Sequence, residues 1–573
     1  MERLNIRRRG LMALVVALLL VAVSCGDSSE DTTTTTAPTG GDTTATTGGG
    51  GEETTTTGGG GEETTTTTTV DPGTPQAGGT ITIGVQAESE CIDVPNCNIH
   101  IDARAQTHLV YGQLMSAAAT GEFVPYMLES ATPNDDATVW TLKLRPGLTF
   151  HDGTVLDAEA LEYNFDRAAL FSLNTASFDY YESTEVIDDL TVAVTLNKPY
   201  AVFPQVLADG FGGVGSPTAM EAQGEQYASS QENPPVGAGP YRMVEWVRDS
   251  HQVYEKFEDY AFDNRGWADQ IVFRVLPDDA ARAAALQAGD IDIAVTLSPA
   301  TLVTFQDDPN VTVHPLDYGA TGVLFQVEEV PDLRVRQAVA MAIDKQAIID
   351  LVWQGVGEPI ETPFREDNFW WAETNYPEYD PAAAAALIAE VEAETGEPVT
   401  LTFTPRIDET NINFGTVVVE QLNAIGIDAT LEVTVDTNDF VNRYIEGQYQ
   451  AIGTGVFTVL DPWFEYTRRF ESTSVLNGTG FATVYPELQA EVDEMLTIGA
   501  GSTDPNERKA AYDRVQQILA DTVLQMYVRT DVYGVIVSND IMGFRTLLNP
   551  DGSLSEGNFF TAIRGDELWR GDL

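Results

Sequence analysis

The stretch VWTLKLRPGLTFHDGTVLDAEAL, residues 139–161, contains a strand, two turns and the beginning of a helix. Strand-forming residues are dense over 139–144, and Pro and Gly at 144–147 mark a turn. The His-Asp-Gly sequence at 151–153 suits a second tight turn. Asp157 precedes an apolar-periodic run and predicts a helix N-cap. This order of elements predicts an α/β fold.

The same alternation continues along the chain. Further strands are predicted at 80–86, 192–196, 271–276 and 399–404, and helices at 158–170, 280–288, 335–349, 381–392 and 411–424. Asp380 followed by Pro381 is a second predicted N-cap. Gly237 and Gly239 predict close backbone packing ahead of a strand that starts at Tyr241. We therefore predict an α/β body with mixed sheets.

The N-terminus has the features of an export signal. An apolar run at 11–23 follows three arginines, and it is shorter than the about 20 residues that span a bilayer. A basic start and a small-residue end are typical of a cleaved signal peptide, here residues 1–24. The sequence before Cys25 resembles a lipoprotein lipobox, although Ala22 stands where Leu is usual. The resemblance implies lipidation of Cys25; a soluble secreted protein is the alternative.

Residues 25–77 predict a disordered tether. They consist mainly of Thr, Gly, Glu, Asp and Pro, and GGGGEETTTT occurs at 48–57 and again at 58–67. Such a segment has too little apolar surface to offset the backbone entropy of folding. A Gly-rich coil of this length reaches roughly 40 Å, which would hold residues 78–573 away from a membrane. The Thr-rich tracts also leave O-glycosylation open.

The chain is strongly acidic. It has 30 Lys and Arg against 88 Asp and Glu, a formal charge of −58. This charge argues against nucleic acid or an anionic membrane surface as a partner. Solubility, a saline habitat and attraction of a cationic ligand all remain as reasons for the acidity.

The remaining cysteines, Cys91 and Cys97, lie in ECIDVPNC, where Pro95 and Asn96 favour a turn. Outside the cytoplasm we expect them to form a disulfide. A metal-binding pair is the alternative, but no third Cys or His accompanies them at ligand spacing.

Several motifs occur in a fixed order along residues 78–573. They are VYGQL at 110–114, the stretch at 139–161, PVGAGPY at 235–241, AALQAGDIDIA at 284–294, RVRQAVAMAIDKQAII at 334–349, YDPAAAAALIAEV at 379–391, EQLNAIGIDATLE at 420–432 and Asp461-Pro462. Their order and spacing resemble the bacterial extracellular solute-binding proteins of family 5, the receptors of ABC importers for peptides, nickel chelates and related solutes. The resemblance implies a type II (cluster C) periplasmic-binding-protein-like flytrap with mixed sheets, two main lobes and an inserted lobe.

The resemblance also implies how the chain divides. The expected division is lobe I at 78–111, 216–326 and 524–573, lobe II at 112–215, and lobe III at 327–523. Lobes I and III would close around the solute by a hinge motion. Ligand sites concentrate at such interfaces.

Eight residues are candidates for the ligand site. They are Phe369, Trp370, Trp371, Arg406, Phe457, Thr458, Asp461 and Trp463. By resemblance, residues 453–463 form the ligand-facing loop, and the dipeptide receptors carry an Asp three residues before the Asp-Pro pair.

That position is Thr458 in this chain. Asp461 or another acid would then have to bind a ligand amine, and this departure favours a solute other than a free peptide. The aromatic residues have buried core as their alternative. Arg406 is either a bidentate carboxylate clamp or a charge at a strand end.

Sequence motifs of enzymes are missing. The chain contains no GxSxG, HExxH or Walker loop, and its five histidines, at 100, 108, 151, 251 and 314, are scattered singly. We therefore expect no enzyme activity, no cofactor and no metal held by protein ligands.

We predict an extracytoplasmic, lipid-anchored monomer that binds an oligopeptide-like solute and delivers it to ABC permease and ATPase subunits. A surface sensor or adhesion protein with the same fold is one alternative. A receptor for an oligosaccharide or a metal chelate is the other.

Overall fold

The computed structural model of the protein describes residues 74–93, 97, 104–171, 180–208, 212–457, 461–555, 558–559 and 562–571. The predicted signal peptide, Cys25 and nearly all of the predicted tether lie outside these residues. Across the described part of the chain, no helix combines the length and apolar character needed to cross a membrane.

The strands are, in chain order, β1 (Thr80–Val85), β2 (Met115–Ala117), β3 (Phe123–Pro125), β4 (Leu128–Pro133), β5 (Val139–Leu144), β6 (Tyr181–Asp188), β7 (Thr191–Leu196), β8 (Tyr241–Val247), β9 (His251–Lys256), β10 (Gln270–Val275), β11 (Ile293–Thr296), β12 (Val311–Phe325), β13 (Thr400–Thr404), β14 (Asp428–Leu431), β15 (Ala451–Phe457), β16 (Gln525–Ser538), β17 (Ile541–Met542), β18 (Asn558–Phe559), β19 (Ala562–Ile563) and β20 (Trp569–Arg570).

The α-helices are α1 (Arg104–Tyr111), α2 (Ala158–Phe171), α3 (Phe203–Ala208), α4 (Pro217–Gln223), α5 (Asp279–Ala288), α6 (Pro299–Phe305), α7 (Leu333–Ala342), α8 (Lys345–Trp353), α9 (Pro381–Thr395), α10 (Glu409–Ala424), α11 (Thr437–Glu446), α12 (Trp463–Phe470), α13 (Phe481–Val484), α14 (Pro486–Gly501) and α15 (Pro505–Asp521). Short 3-10 turns occur at Gly224–Gln226 and Gly565–Glu567.

A ten-stranded mixed sheet forms the centre of the fold, in the order β14-β13-β15-β12-β16-β11-β1-β10-β9-β8. Strands β11, β1 and β10 are parallel to one another, and β9 and β8 continue antiparallel. At the other end β14, β13 and β15 are also parallel. The predicted mixed α/β architecture is confirmed.

Strands β12 and β16 form a long antiparallel ribbon between the two halves of this sheet. The N-terminal half of the sheet joins the ribbon where β11 pairs with residues 534–537. The other half joins where β15 pairs with residues 319–325. The ribbon therefore belongs to neither half alone, and bending it would move one half relative to the other.

A separate antiparallel sheet, β4-β5-β7-β6, lies within the predicted insertion. Its core side chains, such as Trp140 and Leu142, share one apolar cluster with residues of α12, α14 and α15. The Ala201 amide also donates to the Ala500 carbonyl, with N and O 2.7 Å apart. This smaller sheet is thus docked onto the helices that follow β15. The exact lobe boundaries stay a prediction.

Local sequence patterns account for most elements. Strand β5 has the predicted bounds, and α9 begins at Pro381 with the Asp380 carboxylate accepting two backbone amides. Asp157 likewise accepts the Ala160 amide at the start of α2. A Cβ on Gly237 or Gly239 would lie 2.3 Å from a carbonyl of α1, so the predicted close packing is confirmed.

One predicted helix is wrong. Residues 335–349 form not a single helix but α7 and α8, because Ile343 is extended, with φ −85° and ψ 108°. Asp344 then caps α8 by accepting the Ala347 amide at 2.9 Å. A capping carboxylate inside an apolar-periodic run favours a new helix start over continuation.

Candidate ligand-binding site

The candidate site lies on one face of the ribbon, where β15 meets it. Gly319 of β12 is in register with Phe457 on one side and with Asp531 on the other. Two residues along, Thr321 is in register with Gly455 and Arg529. Residues directly opposite each other in a sheet share a face, and so do residues two apart. We call the group of Tyr318, Thr321, Arg406, Phe457 and Asp531 the ribbon site.

Aromatic rings line one side of the ribbon site. The Tyr318 ring centroid lies 6.2 Å from that of Phe457 and 6.4 Å from that of Tyr533. Burial raises the pKa of Tyr318, and Asp531 adds to the increase, whereas Arg529 and Arg406 oppose it. The phenol therefore stays neutral and offers both a ring face and a hydroxyl.

Asp531 supplies a fixed negative charge. Its Oδ1 accepts the Thr321 hydroxyl at 2.7 Å and lies 3.0 Å from Nη2 of Arg529. Arg529 is itself held, because its Nη1 donates to the Val356 and Thr530 carbonyls and its guanidinium lies 4.1 Å from the Trp353 ring centroid. The carboxylate is thus held in place on the sheet, in a residue only 8% exposed.

Arg406 supplies the positive charge of the ribbon site. It follows β13 and is half-buried. Its Nη1 lies 3.4 Å from the position that a Cβ on Gly455 would take. Within the described ranges, no hydrogen bond or ion pair engages its guanidinium, although the chain carries 88 acidic residues. An unpaired Arg beside aromatic rings favours binding of an anionic ligand group.

Two residues of the aromatic triplet at 369–371 contact helix α15. The Trp370 ring is 5.5 Å from that of Tyr512 on α15, and the residue is only 8% exposed. The Trp371 carbonyl accepts Nζ of Lys509 at 2.9 Å. The interpretation of Trp370 as cleft wall is therefore replaced by core packing against α15. Phe369, at 50% exposure, is the ring of the three with the most free surface.

Asp461 and Trp463 also have structural roles. The Asp461 carboxylate forms an ion pair with Arg508 and accepts the Trp463 amide at 3.0 Å. Trp463 packs edge-on against Tyr200 and Tyr180, with ring centroids 4.8 and 5.7 Å away. Each of Asp461 and Trp463 is 3% exposed. We leave both out of the proposed site, because the Asp461 carboxylate and the faces and edges of the Trp463 ring already contact other parts of the protein.

Of the predicted residues, Phe457 packs near Tyr318, and Arg406 is close enough to Tyr318 to oppose the rise in its pKa. Thr458 lies outside the described residues. Sequence reasoning missed Tyr318 and Asp531. The signal for Asp531 is a pair of charges two residues apart inside β16, a strand that is otherwise almost wholly apolar and buried.

Cys91 and Cys97 are joined in a disulfide, with their Cα atoms 5.9 Å apart. The bridge closes a loop that follows β1 in the N-terminal half of the sheet. A loop of this size contributes about 2 kcal/mol, so its effect is local.

Two half-sheets joined by a two-stranded ribbon, with a small inserted sheet, define a type II periplasmic-binding-protein-like fold. The solved structure of the ABC transporter substrate-binding protein CtaP from Listeria monocytogenes has this fold, with a TM-score of 0.72 and 21% identity over 87% of this chain and 100% of that one. The model for "Bacterial extracellular solute-binding proteins, family 5 Middle" matches residues 122–477. The chain belongs to this family.

Two curated relatives carry ligand names. The glutathione-binding protein GsiB of Pectobacterium atrosepticum is 30% identical over 288 residues, which is 49% of this chain and only 55% of that relative. The dipeptide-binding protein of Escherichia coli is 24% identical over 458 residues, 74% of this chain and 84% of that relative. The family consists of extracellular solute-binding proteins, so this chain is an extracytoplasmic solute-binding protein.

Proposed function

We propose that this protein is a lipid-anchored receptor that captures a peptide-like solute between the two halves of its large sheet. It passes the solute to an ABC permease driven by ATPase subunits. The observation that carries the proposal is the guanidinium of Arg406, which lies near Gly455 and Tyr318 and has no ion pair or hydrogen bond with any described residue.

The chemistry of this site favours a carboxylate-bearing solute. A guanidinium can bind both oxygens of a carboxylate, and a half-buried one does so with less competition from water. The rings of Phe457 and Tyr318 offer apolar surface for the body of the solute. Two relatives are named for glutathione and for dipeptides, both of which carry carboxylates.

The ribbon supplies the hinge for capture. Strands β12 and β16 connect the two half-sheets, and the ribbon site lies on them. A solute that contacts both halves binds the closed arrangement more tightly than the open one. It therefore shifts the population toward closure by that difference in affinity.

The anchor in this proposal rests on the sequence up to Cys25. Labelled fatty acid should be incorporated into the unmodified protein and not into the Cys25→Ser protein. Equal incorporation into both proteins, or none into either, would count against lipidation of Cys25.

A thermal-shift screen tests the solute class. A ligand that binds only the native state raises the unfolding midpoint in a saturable way. Dipeptides or tripeptides should raise it, whereas neutral sugars and metal chelates should not. Saturable shifts with sugars or chelates and none with peptides would overturn the peptide-like assignment.

Arg406→Gln provides the matched test of the site. It should weaken a carboxylate-bearing peptide at least about tenfold in calorimetry, the range for a lost charged hydrogen bond. Arg443→Gln is the control, since Arg443 pairs with Glu432 and Asp439 away from the ribbon. Equal affinities for the two variants would remove Arg406 from the site.

A further inference from the structure

We infer that Asp531 binds the ammonium group of the ligand, and that the ribbon site takes an α-amino-acid head group with ammonium and carboxylate on one carbon. This inference rests on the proposed function, because it assigns the carboxylate to Arg406. It also supplies an acid that position 458 does not.

The first step is the free oxygen of Asp531. The contacts of its carboxylate with Thr321 and Arg529 both involve Oδ1. No described residue donates a hydrogen bond to Oδ2. This oxygen therefore has its acceptor capacity available for a donor from a ligand or from water.

The Oδ2 atom of Asp531 lies near Gly455, as the Arg406 guanidinium does. Asp531 Oδ2 is 3.8 Å, and Arg406 Nη1 is 3.4 Å, from the same point, the Cβ position above Gly455. Asp531 and Arg406 nevertheless form no ion pair with each other within the described residues. Two opposite charges thus face one small region without neutralising each other, and Gly455 adds no side chain there.

The spacing of Arg406 and Asp531 limits the size of a ligand whose two charged groups contact both residues. An extended chain advances about 3.3 to 3.6 Å per residue, so the termini of an α-linked tripeptide lie roughly 10 Å apart. Arg406 Nη1 and Asp531 Oδ2 lie 3.4 and 3.8 Å from one point above Gly455, so their separation is shorter than that span and favours a ligand whose ammonium and carboxylate are close together. The ammonium and carboxylate on a single α-carbon fit, and so does the same head group on a γ-linked peptide.

Asp461, the acid predicted from the sequence, is not available to bind the ammonium group. The Asp461 carboxylate already pairs with Arg508 and accepts a hydrogen bond from the Trp463 amide. Asp531 instead has one oxygen held by protein and one available. A carboxylate fixed in this way binds an ammonium group without losing rotational freedom of its own.

Isomeric dipeptides test the head-group assignment. γ-Glu-Gly keeps ammonium and carboxylate on one carbon, whereas α-Glu-Gly has the same composition but separates them. Calorimetry with the full-length protein should show γ-Glu-Gly binding at least about tenfold more tightly. Equal affinity, a preference for α-Glu-Gly, or no binding of γ-Glu-Gly would overturn the inference.

Asp531→Asn tests the ammonium contact. It should weaken γ-Glu-Gly about 10- to 100-fold, the range for a charged hydrogen bond. Glutarylglycine, which is γ-Glu-Gly without its amine, should bind Asp531→Asn within about twofold of the unmodified protein. Asp513→Asn is the charge-matched control, because Asp513 pairs with Lys509 within α15. Circular dichroism and the unfolding midpoint establish that each variant is folded.

The outcomes separate the two proposals. If Arg406→Gln abolishes dipeptide binding but Asp531→Asn leaves γ-Glu-Gly unchanged, the head-group inference fails and the proposed function stands. If no peptide or amino acid binds the unmodified protein, both fail.

Discussion

Asp461 is a candidate ligand-binding residue whose carboxylate contacts other residues of the protein. Its carboxylate pairs with Arg508 and accepts the amide of Trp463, and the residue is 3% exposed. Removing one partner of a buried pair leaves the other charge uncompensated, which costs about 3 to 5 kcal/mol. We predict that Asp461→Asn lowers the free energy of unfolding by about this amount, measured by urea denaturation.

Asp513→Asn, which removes a partly exposed pair on α15, should cost no more than about 1 kcal/mol. If Asp461→Asn unfolds at the same urea concentration as the unmodified protein but loses affinity for an amine ligand, Asp461 belongs to the ligand site after all.

His108 makes stability depend on pH. Burial lowers the pKa of His108 to about 3, Arg564 adds to the shift, and Asp566 opposes it. The unfolded chain takes up a proton near pH 6.5 and the folded chain does not, so stability is full above pH 6.5 and falls as the pH drops toward 3. His108 alone should cost about 2 kcal/mol of stability between pH 7 and pH 5.

Urea denaturation of the unmodified protein and of His108→Gln at both pH values isolates this contribution. His151 and His314, whose pKa values burial lowers to about 4, act in the same direction in both proteins. An identical loss of stability in the two proteins would show that His108 is not the group responsible.

Two glycines, Gly322 in the ribbon and Gly455 in the neighbouring strand β15, have different roles. A Cβ on Gly322 would lie 2.0 Å from the Met526 carbonyl, so the strands could not keep their spacing. A Cβ on Gly455 would meet no atom closer than Nη1 of Arg406 at 3.4 Å. We predict that Gly322→Ala destabilises the fold by more than about 2 kcal/mol, whereas Gly455→Ala is nearly neutral for folding.

Gly455→Ala should instead lower ligand affinity, because the new methyl group lies between Arg406 and Asp531. Calorimetry and thermal unfolding of the same two variants provide the comparison. Full affinity in Gly455→Ala would place the ligand away from the ribbon site.

Local sequence patterns predict those helices and strands whose formation depends on local contacts. Strand β5 and helix α9 follow from strand-forming density and from an Asp-Pro start. The break at Ile343 escapes this kind of prediction, because apolar periodicity alone does not show when a capping Asp ends a helix.

Contacts between residues that are far apart in the chain could not be predicted from the sequence. Thr321 and Asp531 meet across 210 residues, and Asp461 and Arg508 across 47. Phe457 is a candidate because residues 453–463 resemble the family's ligand-facing loop, and Arg406 stays a predicted carboxylate clamp. Whether an acid such as Asp461 or Asp531 is free depends on a partner that no local spacing reveals.

Trp463 joins the smaller sheet, β4-β5-β7-β6, to the helices that follow β15. Its ring packs against Tyr180 and Tyr200, and the Ala201 amide bonds to the Ala500 carbonyl. Replacing a buried Trp by Ala costs about 3 to 5 kcal/mol. We predict that Trp463→Ala loosens this docking and speeds hydrogen exchange in β4 to β7 more than in β1 and β10.

An equal increase of exchange in all strands would contradict a local role for Trp463. It would mean that the two sheets unfold as one cooperative unit.

The most direct test of solute capture at the ribbon site is equilibrium dialysis of the full-length protein against a defined mixture of α- and γ-linked dipeptides. Mass spectrometry then identifies what the protein retains. We expect saturable one-to-one retention of a chemically unchanged solute, strongly reduced in Arg406→Gln. Retention that is equal in Arg406→Gln, or release of an altered product, would contradict capture at this site.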